Sequence, residues 1–476
     1  MSKVWDVVIV GAGTAGLPCA IFAAKRGAKV IVIEAADKIG GSLWYASGQI
    51  SGTNTKLQAK RGIDDNPDKH FADIVRINHG TGDHPFMRIF AENAGATVDW
   101  LFDIGWRPQD EHPAITYGHE IYTTPRTYWA KDGAISIVNA LAPLFDAEVK
   151  KGNITLRLST RMSDVITDDR GAAAGVRVIA GEKSEDIHGR NVVLTCGGYA
   201  ASAELWGKFH NRPLRGYFWP HAQGDGVKAA MALGAEFKWA DNFIPTFAGT
   251  SDPDTGDKKW INTICTPQLR QPWEIYVNMN GARFMAEDNS SVDMRERTLM
   301  QQPDMAFWSI YDEAIREKAP PLLFAWPKDK QDRAFATHPD YRKGASLDEL
   351  AAATGLSAAA LKHTIERYNL GQAVKSDAFG RQFMPLPLNK GPFYAVKHYA
   401  ISVVSFGGVN TDMKCRVLRA NGQAIPNLYA AGEMVGFGRF GNAYVSGTSI
   451  GPAITFGRLL GEQILTWNTN QAQAAE

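Results

Sequence analysis

The sequence predicts an α/β fold: a Rossmann-like parallel sheet flanked by helices, interrupted by an inserted α+β domain and completed near the C-terminus. Three observations predict it. An apolar strand runs into a glycine-rich turn and a helix within the first 24 residues. A second short apolar strand ending in glycine recurs at residues 428–432. Between them, from about residue 236 to 389, lies a region of turn-rich loops and capped helices with a different character. The expected division is therefore 1–235 with 390–476 as one discontinuous domain and 236–389 as the insertion.

The first unit can be read from its residues in order. Val7-Val8-Ile9-Val10 is an unbroken apolar run of the kind a strand buried on both faces requires. It ends in Gly11-Ala12-Gly13-Thr14-Ala15-Gly16, and a helix comes next with Leu17, Ala20, Ile21 and Ala24 turned inward. Gly27 marks the end of the helix, and Lys29-Val30-Ile31-Val32-Ile33 forms a second parallel strand finishing in Glu34. Gly11 makes the tight turn, Gly13 admits a pyrophosphate to the backbone, and Gly16 permits close packing of helix on strand. Glu34 lies 18 positions after Gly16, where a carboxylate can accept hydrogen bonds from ribose hydroxyls. This unit binds a dinucleotide, and by itself it does not separate FAD from NAD.

Composition narrows the partners. The chain has 476 residues, 45% hydrophobic and 21% charged, enough to bury a large core. A formal net charge of +1 provides no field to attract nucleic acid. Cys19, Cys196, Cys265 and Cys415 have neither metal-ligand nor haem-attachment spacing, so no metal site is expected and the residues read as cytosolic thiols. Residues 1–6 lack a basic region followed by an apolar one, and no stretch approaches the roughly 20 apolar residues of a spanning helix. We expect a cytoplasmic location without an integral membrane segment.

Further motifs carry a resemblance. Ile39-Gly40-Gly41-Ser42 and Ala46-Ser47-Gly48-Gln49 come closely after Glu34. Val192-Val193-Leu194-Thr195-Cys196-Gly197-Gly198 is a strand and glycine turn, and Gly224-Asp225-Gly226 opens a helix from Val227 to Leu233. Then come Asp377, Phe379, Gly380 and Arg381, and after them Gly391-Pro392-Phe393-Tyr394-Ala395. Asn427-Leu428-Tyr429-Ala430-Ala431-Gly432-Glu433 and Ser449-Ile450-Gly451-Pro452-Ala453 close the series. In this order the chain resembles the FAD-dependent fumarate reductase and 3-ketosteroid dehydrogenase superfamily. The resemblance implies FAD as cofactor and a cap domain over its reactive face. It implies FAD contacts at Gly11, Gly13, Ala15, Gly16, Glu34, Ala35, Gly40, Gly41, Ser42, Ser47, Gly48, Gly197, Gly198, Asp225, Gly432, Glu433, Ser449 and Ile450. The segment from Gly391 to Ala395 resembles the return from the cap to the flavin domain.

The C-terminal motif also has a physical reading. Glu433, emerging at a strand end, can hold a ribityl hydroxyl, and Ser449 or Thr448 can cap a helix over 453–460 with Pro452 in its first turn. N–H groups at Ile450 and Gly451 then favour negative charge at the flavin's N1–C2=O edge. In the inserted region, Trp273-Glu274-Ile275-Tyr276-Val277 predicts a strand ending at an Asn280-Gly281 turn. Ser346-Leu347-Asp348-Glu349 predicts a capped helix, and Ser357 caps another running to Tyr368. The polar tail from Asn468 to Glu476 is expected to fray.

Only one dinucleotide fingerprint is present, so electrons are expected to pass directly between substrate and flavin and on to an external acceptor such as oxygen, a quinone or a carrier protein. In fumarate reductases the segment after Asn-Gly-x-Arg-Phe carries an arginine acid. Here that motif reads Asn280-Gly281-Ala282-Arg283-Phe284, and Ser291 stands at the position of the arginine. The family's histidine before the Gly407-Gly408 turn is replaced by Val403-Val404-Ser405-Phe406. The tyrosine that Δ1-dehydrogenases place at Ser291 is missing as well. Tyr444-Val445-Ser446 is similar to the Tyr-x-Ser arrangement of 3-ketosteroid Δ4-(5α)-dehydrogenases, and in an extended stretch the two hydroxyls face one side. The competing reading of Tyr444 is a core aromatic. Tyr117, His119, Tyr122 and Tyr128 form a polar-aromatic loop that can line the pocket or serve structure. Arg439, near Asn442, either binds a substrate carboxylate or pairs with the cap.

The expectation is an FAD-dependent desaturase acting next to the ketone of a small cyclic substrate, steroid-like or cyclohexanone-type, with 4-oxocyclohexanecarboxylate as a further option. Tyr444 and Ser446, assisted by the backbone at Gly447, are the expected catalytic groups. The alternatives are an enoate reductase of the fumarate reductase type and a non-catalytic flavin-binding protein.

Overall fold

The computed structural model describes residues 3–262, 265–323 and 326–473, with backbone alone at 256–262 and 467–473. Its main sheet has six strands in the order Arg416–Leu418, Ala424–Ala430, Val192–Leu194, Val7–Val10, Val30–Ile33 and Ile154–Arg157. All neighbours are parallel except the first pair. Every residue of Val7–Val10 and Val30–Ile33 is buried, which is why these strands carry no polar alternation. The helix Gly16–Lys25 covers this sheet, with Leu17, Ala20, Ile21 and Ala24 buried. A four-stranded sheet of Val4–Trp5, Lys183–Gly189, Ala173–Ala180 and Arg161–Thr167 lies beside it.

The C-terminal helix is longer than its motif predicts, running from Ile450 to Gln473. Its extension results from packing. A Cβ at Gly457 would sit 2.3 Å from the Ala15 carbonyl oxygen and one at Gly461 would sit 2.4 Å from that of Cys19. The helix therefore lies backbone to backbone on Gly16–Lys25. The tail expected to fray is helical up to Gln473, and residues 474–476 lie outside the described residues.

The inserted region is built on a second, antiparallel sheet ordered Gly256–Asn262, Thr246–Asp252, Phe393–Ile401, Ala306–Asp312 and Ile275–Asn278, with Tyr341–Gly344 also paired to Phe393–Ile401. The segment read as a return to the first domain thus begins with a central strand of the second sheet, Phe393–Ile401. Its alternation gave no sign of this, because eight of its nine residues are buried. The expected caps form: Ser346 accepts from the Glu349 N–H at 3.2 Å and Ser357 from that of Ala360 at 3.3 Å. The second of these helices, Ala358–Val374, runs beyond Tyr368. Among the described residues no helix is long and apolar enough to cross a membrane.

Arg283, of the Asn-Gly-x-Arg-Phe segment, serves this region structurally. It binds Glu287 at 2.6 Å and Asp377 at 2.5 Å, while Arg381 reaches Glu287 at 3.1 Å. Glu287 and Arg381 are fully buried. Removing one member of such a cluster leaves an uncompensated charge in a low-dielectric interior. Glu287→Ala should therefore cost about 3–5 kcal/mol in chemical denaturation, whereas Met294→Ala on the exposed surface should fall within about 0.5 kcal/mol of wild type.

Candidate active site

One cavity of about 430 Å³ joins the N-terminal glycine turn to the C-terminal motif. At its first end the wall is backbone. Gly11 (φ +101°) and Gly16 are required for close approach, since a Cβ at Gly16 would meet the Gly11 carbonyl oxygen at 1.9 Å and one at Gly11 would meet that of Thr195 at 2.5 Å. Gly13 and Gly41 pack side by side on the cavity wall, and a Cβ on Gly41 would lie 3.2 Å from the Gly13 Cα. Glu34 borders the same space. Its Oε2 accepts from the Ala12 N–H at 2.8 Å and its Oε1 from that of Ala36 at 2.9 Å, so the acid also ties the turn to the end of the second strand. Burial pushes its carboxyl up, against the pull of those backbone donors.

Ala15, Ala35, Ser42, Ser47, Gly197, Asp225, Gly432 and Glu433 also lie on the wall. Gly16, Gly40, Gly48 and Gly198 do not. Each admits a neighbour: a Cβ would meet Trp44 at Gly40 (2.8 Å), the Ala134 N at Gly48 (2.7 Å), and the Ser405 Oγ at Gly198 (2.3 Å). Asp225 opens its helix ion-paired to Arg161. Tyr45, Tyr217 and Trp219 add an aromatic wall that the sequence motifs did not reveal, with Tyr45 and Tyr217 ring centroids 4.2 Å apart.

At the other end, Glu433 accepts from the Ser405 N–H at 2.7 Å. Ser449 is exposed to the cavity just before the helix, and Ile450 lies on the wall. Thr448 is turned away, donating to the Val445 carbonyl at 2.7 Å, and the Gly451 N–H is taken by the Gly447 carbonyl at 3.3 Å. Tyr444 and Gly447 are on the wall, but Ser446 is not. Its Oγ lies 3.1 Å from Thr127 Oγ1 and 3.4 Å from Gln49 Oε1, and its carbonyl accepts from the Tyr122 hydroxyl at 2.6 Å. The expected shared face fails because the chain turns at residues 446–449, with Gly447 at φ +74°, instead of continuing extended.

The polar-aromatic loop divides its roles. Tyr117 is exposed, Tyr122 holds Ser446, and Tyr128 pairs with Thr55 Oγ1 at 2.7 Å. His119 borders the cavity and stacks on Tyr444, with ring centroids 4.8 Å apart and planes 9° from parallel. Burial lowers the His119 imidazole to about 4 and raises the Tyr444 phenol. Both are therefore neutral near pH 7. The Tyr444 Oη faces Thr246 without a hydrogen bond of good geometry, and His119 Nδ1 is also unpartnered.

Arg439 takes the structural alternative. It is fully buried, bound to Asp83 Oδ2 at 2.8 Å and to the Thr411 hydroxyl and carbonyl at 2.6 and 2.8 Å, and stacked over Phe86. Ser291 caps the helix Val292–Met300 and donates to Glu120 at 3.0 Å. Among the described residues that line the cavity there is no lysine or arginine; its charged groups are Glu34, Asp225 and Glu433. These features fit an extended FAD: a wall of backbone at Gly11, Gly13 and Gly41 with an acid beside it at one end, where the adenosine half would lie, and a helix start with an accessible hydroxyl at the other.

Comparisons with known proteins agree with this geometry. A family model described as an FAD binding domain matches residues 6–450. The chain is 31% identical to a fumarate reductase (cytochrome) of Shewanella frigidimarina over 464 residues, covering 96% of this chain and 76% of that protein. It is 25% identical to a 3-oxosteroid 1-dehydrogenase of Mycobacterium tuberculosis over 559 residues, covering 96% and 97%. The solved 3-ketosteroid-Δ4-(5α)-dehydrogenase of Rhodococcus jostii RHA1, in complex with 4-androstene-3,17-dione, superposes with a TM-score of 0.71 at 25% identity, covering 97% of each chain.

The cavity predicts that purified protein is yellow and releases FAD, not FMN, on denaturation. Glu34→Lys should weaken FAD retention by removing the clamp on Ala12 and reversing the charge beside the glycine turn. Full FAD occupancy of that variant after gel filtration would exclude Glu34 from cofactor binding.

Proposed function

Since the chain belongs to the FAD binding domain family, we propose that it is a dehydrogenase introducing a C=C bond next to the carbonyl of a neutral cyclic ketone. It is an FAD-dependent oxidoreductase acting on CH–CH groups. The observation that carries the substrate proposal is the cation-free cavity wall. A carboxylate desolvated there would face Glu433 and no guanidinium, and an unpaired buried charge costs several kcal/mol. With Arg439 held by Asp83, the keto acid option loses its anchor. Phe437, its ring centroid 4.7 Å from that of Tyr444, instead offers apolar surface, with Ile401 and Val404 on the same cavity wall.

Bound FAD supplies the hydride acceptor for the β-hydrogen. The chain's own residues handle the rest. The turn at Gly11 and Gly13, with Glu34, would hold the adenosine half, and Gly432, Glu433 and Ser449 would border the opposite end. Tyr444 Oη takes the proton from the α-carbon, while the backbone at Gly447 faces the ketone oxygen, where negative charge develops. His119, neutral and stacked flat on the phenol, fixes the plane of Tyr444. Ser446 acts through position, locking the turn to Thr127, Gln49 and Tyr122. The insertion, 236–389 in the proposed division, closes the site against water. An external oxygen, quinone or carrier protein takes the electrons, and the cytoplasm is the proposed location.

The identity to fumarate reductase favours a second reading, reduction of an unsaturated acid by the same groups in reverse. Anaerobic mixing with a panel of steroid and non-steroid cyclic ketones separates the two, because desaturation bleaches the flavin absorbance. No bleaching by any ketone, with reoxidation of dithionite-reduced protein by an unsaturated acid, would reverse the assignment. Tyr444→Phe should retain FAD but slow ketone-driven bleaching by about 100-fold or more. A wild-type rate in this variant would remove Tyr444 from the chemistry.

A further inference from the structure

Ser291 does more than cap the helix Val292–Met300. Its Oγ accepts from the Met294 N–H at 3.2 Å and donates to Glu120 Oε2 at 3.0 Å. The same carboxylate oxygen accepts from the Asp293 N–H at 3.3 Å. A carboxylate in this place satisfies unpaired N–H groups of the first turn and lies at the positive end of the helix dipole. Glu120 thus grips the start of the helix from outside it, 171 positions away in sequence.

By its packing the helix belongs to the inserted region, since it rests on the strands Thr246–Asp252 and Phe393–Ile401 of the second sheet. Its other polar contacts reach back to the first domain. Arg297 donates to the Asn442 carbonyl at 2.9 Å and to the Asn442 side-chain oxygen at 3.1 Å. Asp293 Oδ2, bound by Arg297 Nε at 2.8 Å, lies 2.9 Å from His79 Nε2. One helix therefore joins the second sheet to three segments of the first domain, at residues 79, 120 and 442.

Two of these segments run into the reactive end of the cavity. Asn442 precedes Tyr444 by two residues, and Glu120 is the neighbour of His119, whose ring stacks on that of Tyr444. The backbones of Glu120 and Val445 also pair as a parallel bridge. His119 Nδ1 has no hydrogen-bond partner, so the imidazole is oriented by its stack and by the backbone that carries it. Glu120 fixes that backbone twice, to Val445 through its main chain and to the inserted helix through its carboxylate.

We propose that Glu120 and Ser291 latch the inserted region onto the reactive end, which makes Glu120 a positioning residue for the His119–Tyr444 stack. Neither residue is on the cavity wall, so both act through that stack. With the latch made, the imidazole is held flat on the phenol while the insertion is docked beside it. With the latch broken, the loop 117–122 loses its tie to the insertion and the plane of Tyr444 is less well defined. Proton transfer depends on such alignment, and a misplacement of about 1 Å can cost about 100-fold in rate. This kinetic consequence rests on the ketone-dehydrogenase reading; the latch itself does not.

The test therefore pairs kinetics with a measurement that needs no turnover. In anaerobic stopped-flow with a cyclic ketone, Glu120→Ala should retain FAD and slow the limiting rate of bleaching by about 10- to 100-fold. Glu120→Gln still accepts from Ser291 and should stay within about 5-fold of wild type, the share of charge at the helix end. Ser291→Ala should act in the same direction as Glu120→Ala, and the two effects should not multiply in the double variant. In hydrogen exchange of the resting protein, Glu120→Ala should speed exchange in residues 117–122 and 291–297 together. A wild-type limiting rate in Glu120→Ala, or faster exchange confined to one of the two segments, would overturn the proposal. If no ketone bleaches the wild type, the dehydrogenase reading fails and the paired exchange still decides the latch. If ketones bleach wild type and Glu120→Ala alike, only the positioning role fails.

Discussion

The whole site depends on the close approach of three backbone segments around the first glycine turn. Gly16 lies so near the Gly11 carbonyl, and Gly11 so near that of Thr195, that no side chain fits between the turn and the strand Val192–Leu194. On the other side, Gly457 and Gly461 bring the C-terminal helix onto the carbonyls of Ala15 and Cys19. A Cβ at any of these positions would force the layers apart, at a cost of the order of 1–3 kcal/mol for overpacking alone. The contact does more than stabilise. It places the start of a helix from the end of the chain opposite a turn from its beginning, so one cavity runs between them.

Charge is distributed around that cavity with a clear division. Four arginines off its wall are matched to acids: Arg126 with Asp65 and Asp73, Arg439 with Asp83, and Arg283 and Arg381 with Glu287. Most of these pairs bridge segments far apart in sequence and fix their relative placement, which is the best-supported use of a buried ion pair. The cavity wall has no cation among its described residues. Tyr444 Oη and His119 Nδ1, both buried without a hydrogen-bond partner, meet on that wall in one ring stack. Interiors seldom tolerate such groups, and two of them at the cavity are the physical reason to place proton chemistry there.

The same scaffold supports oxidation and reduction in proteins similar to this one, and fold does not choose between them. The choice falls to a few side chains around the reactive end. Ser291 becomes a helix cap and Arg439 a structural strut, which leaves a phenol, an imidazole and apolar surface facing the substrate space. That set suits a neutral carbonyl compound better than a dicarboxylate, whose charges require fixed cations.

What the sequence determined was local. The strand, glycine turn, helix and terminal acid at residues 7–34 are specified by neighbours within a few positions, as are the caps at Ser346 and Ser357, so periodicity and turn chemistry disclosed them. The FAD motifs were legible for the same reason. Only the tertiary structure decided the rest. It showed that Phe393–Ile401 joins the second sheet, that Gly40, Gly48 and Gly198 serve packing and not the cavity wall, and that Tyr444 faces the cavity while Ser446 turns away. It also chose between two roles for Arg439 and brought His119 to Tyr444. Each of these outcomes depends on contacts between residues tens to hundreds of positions apart. A side chain's hydroxyl, charge or ring is written in the sequence, but the direction it faces is set by whichever distant segment packs against it.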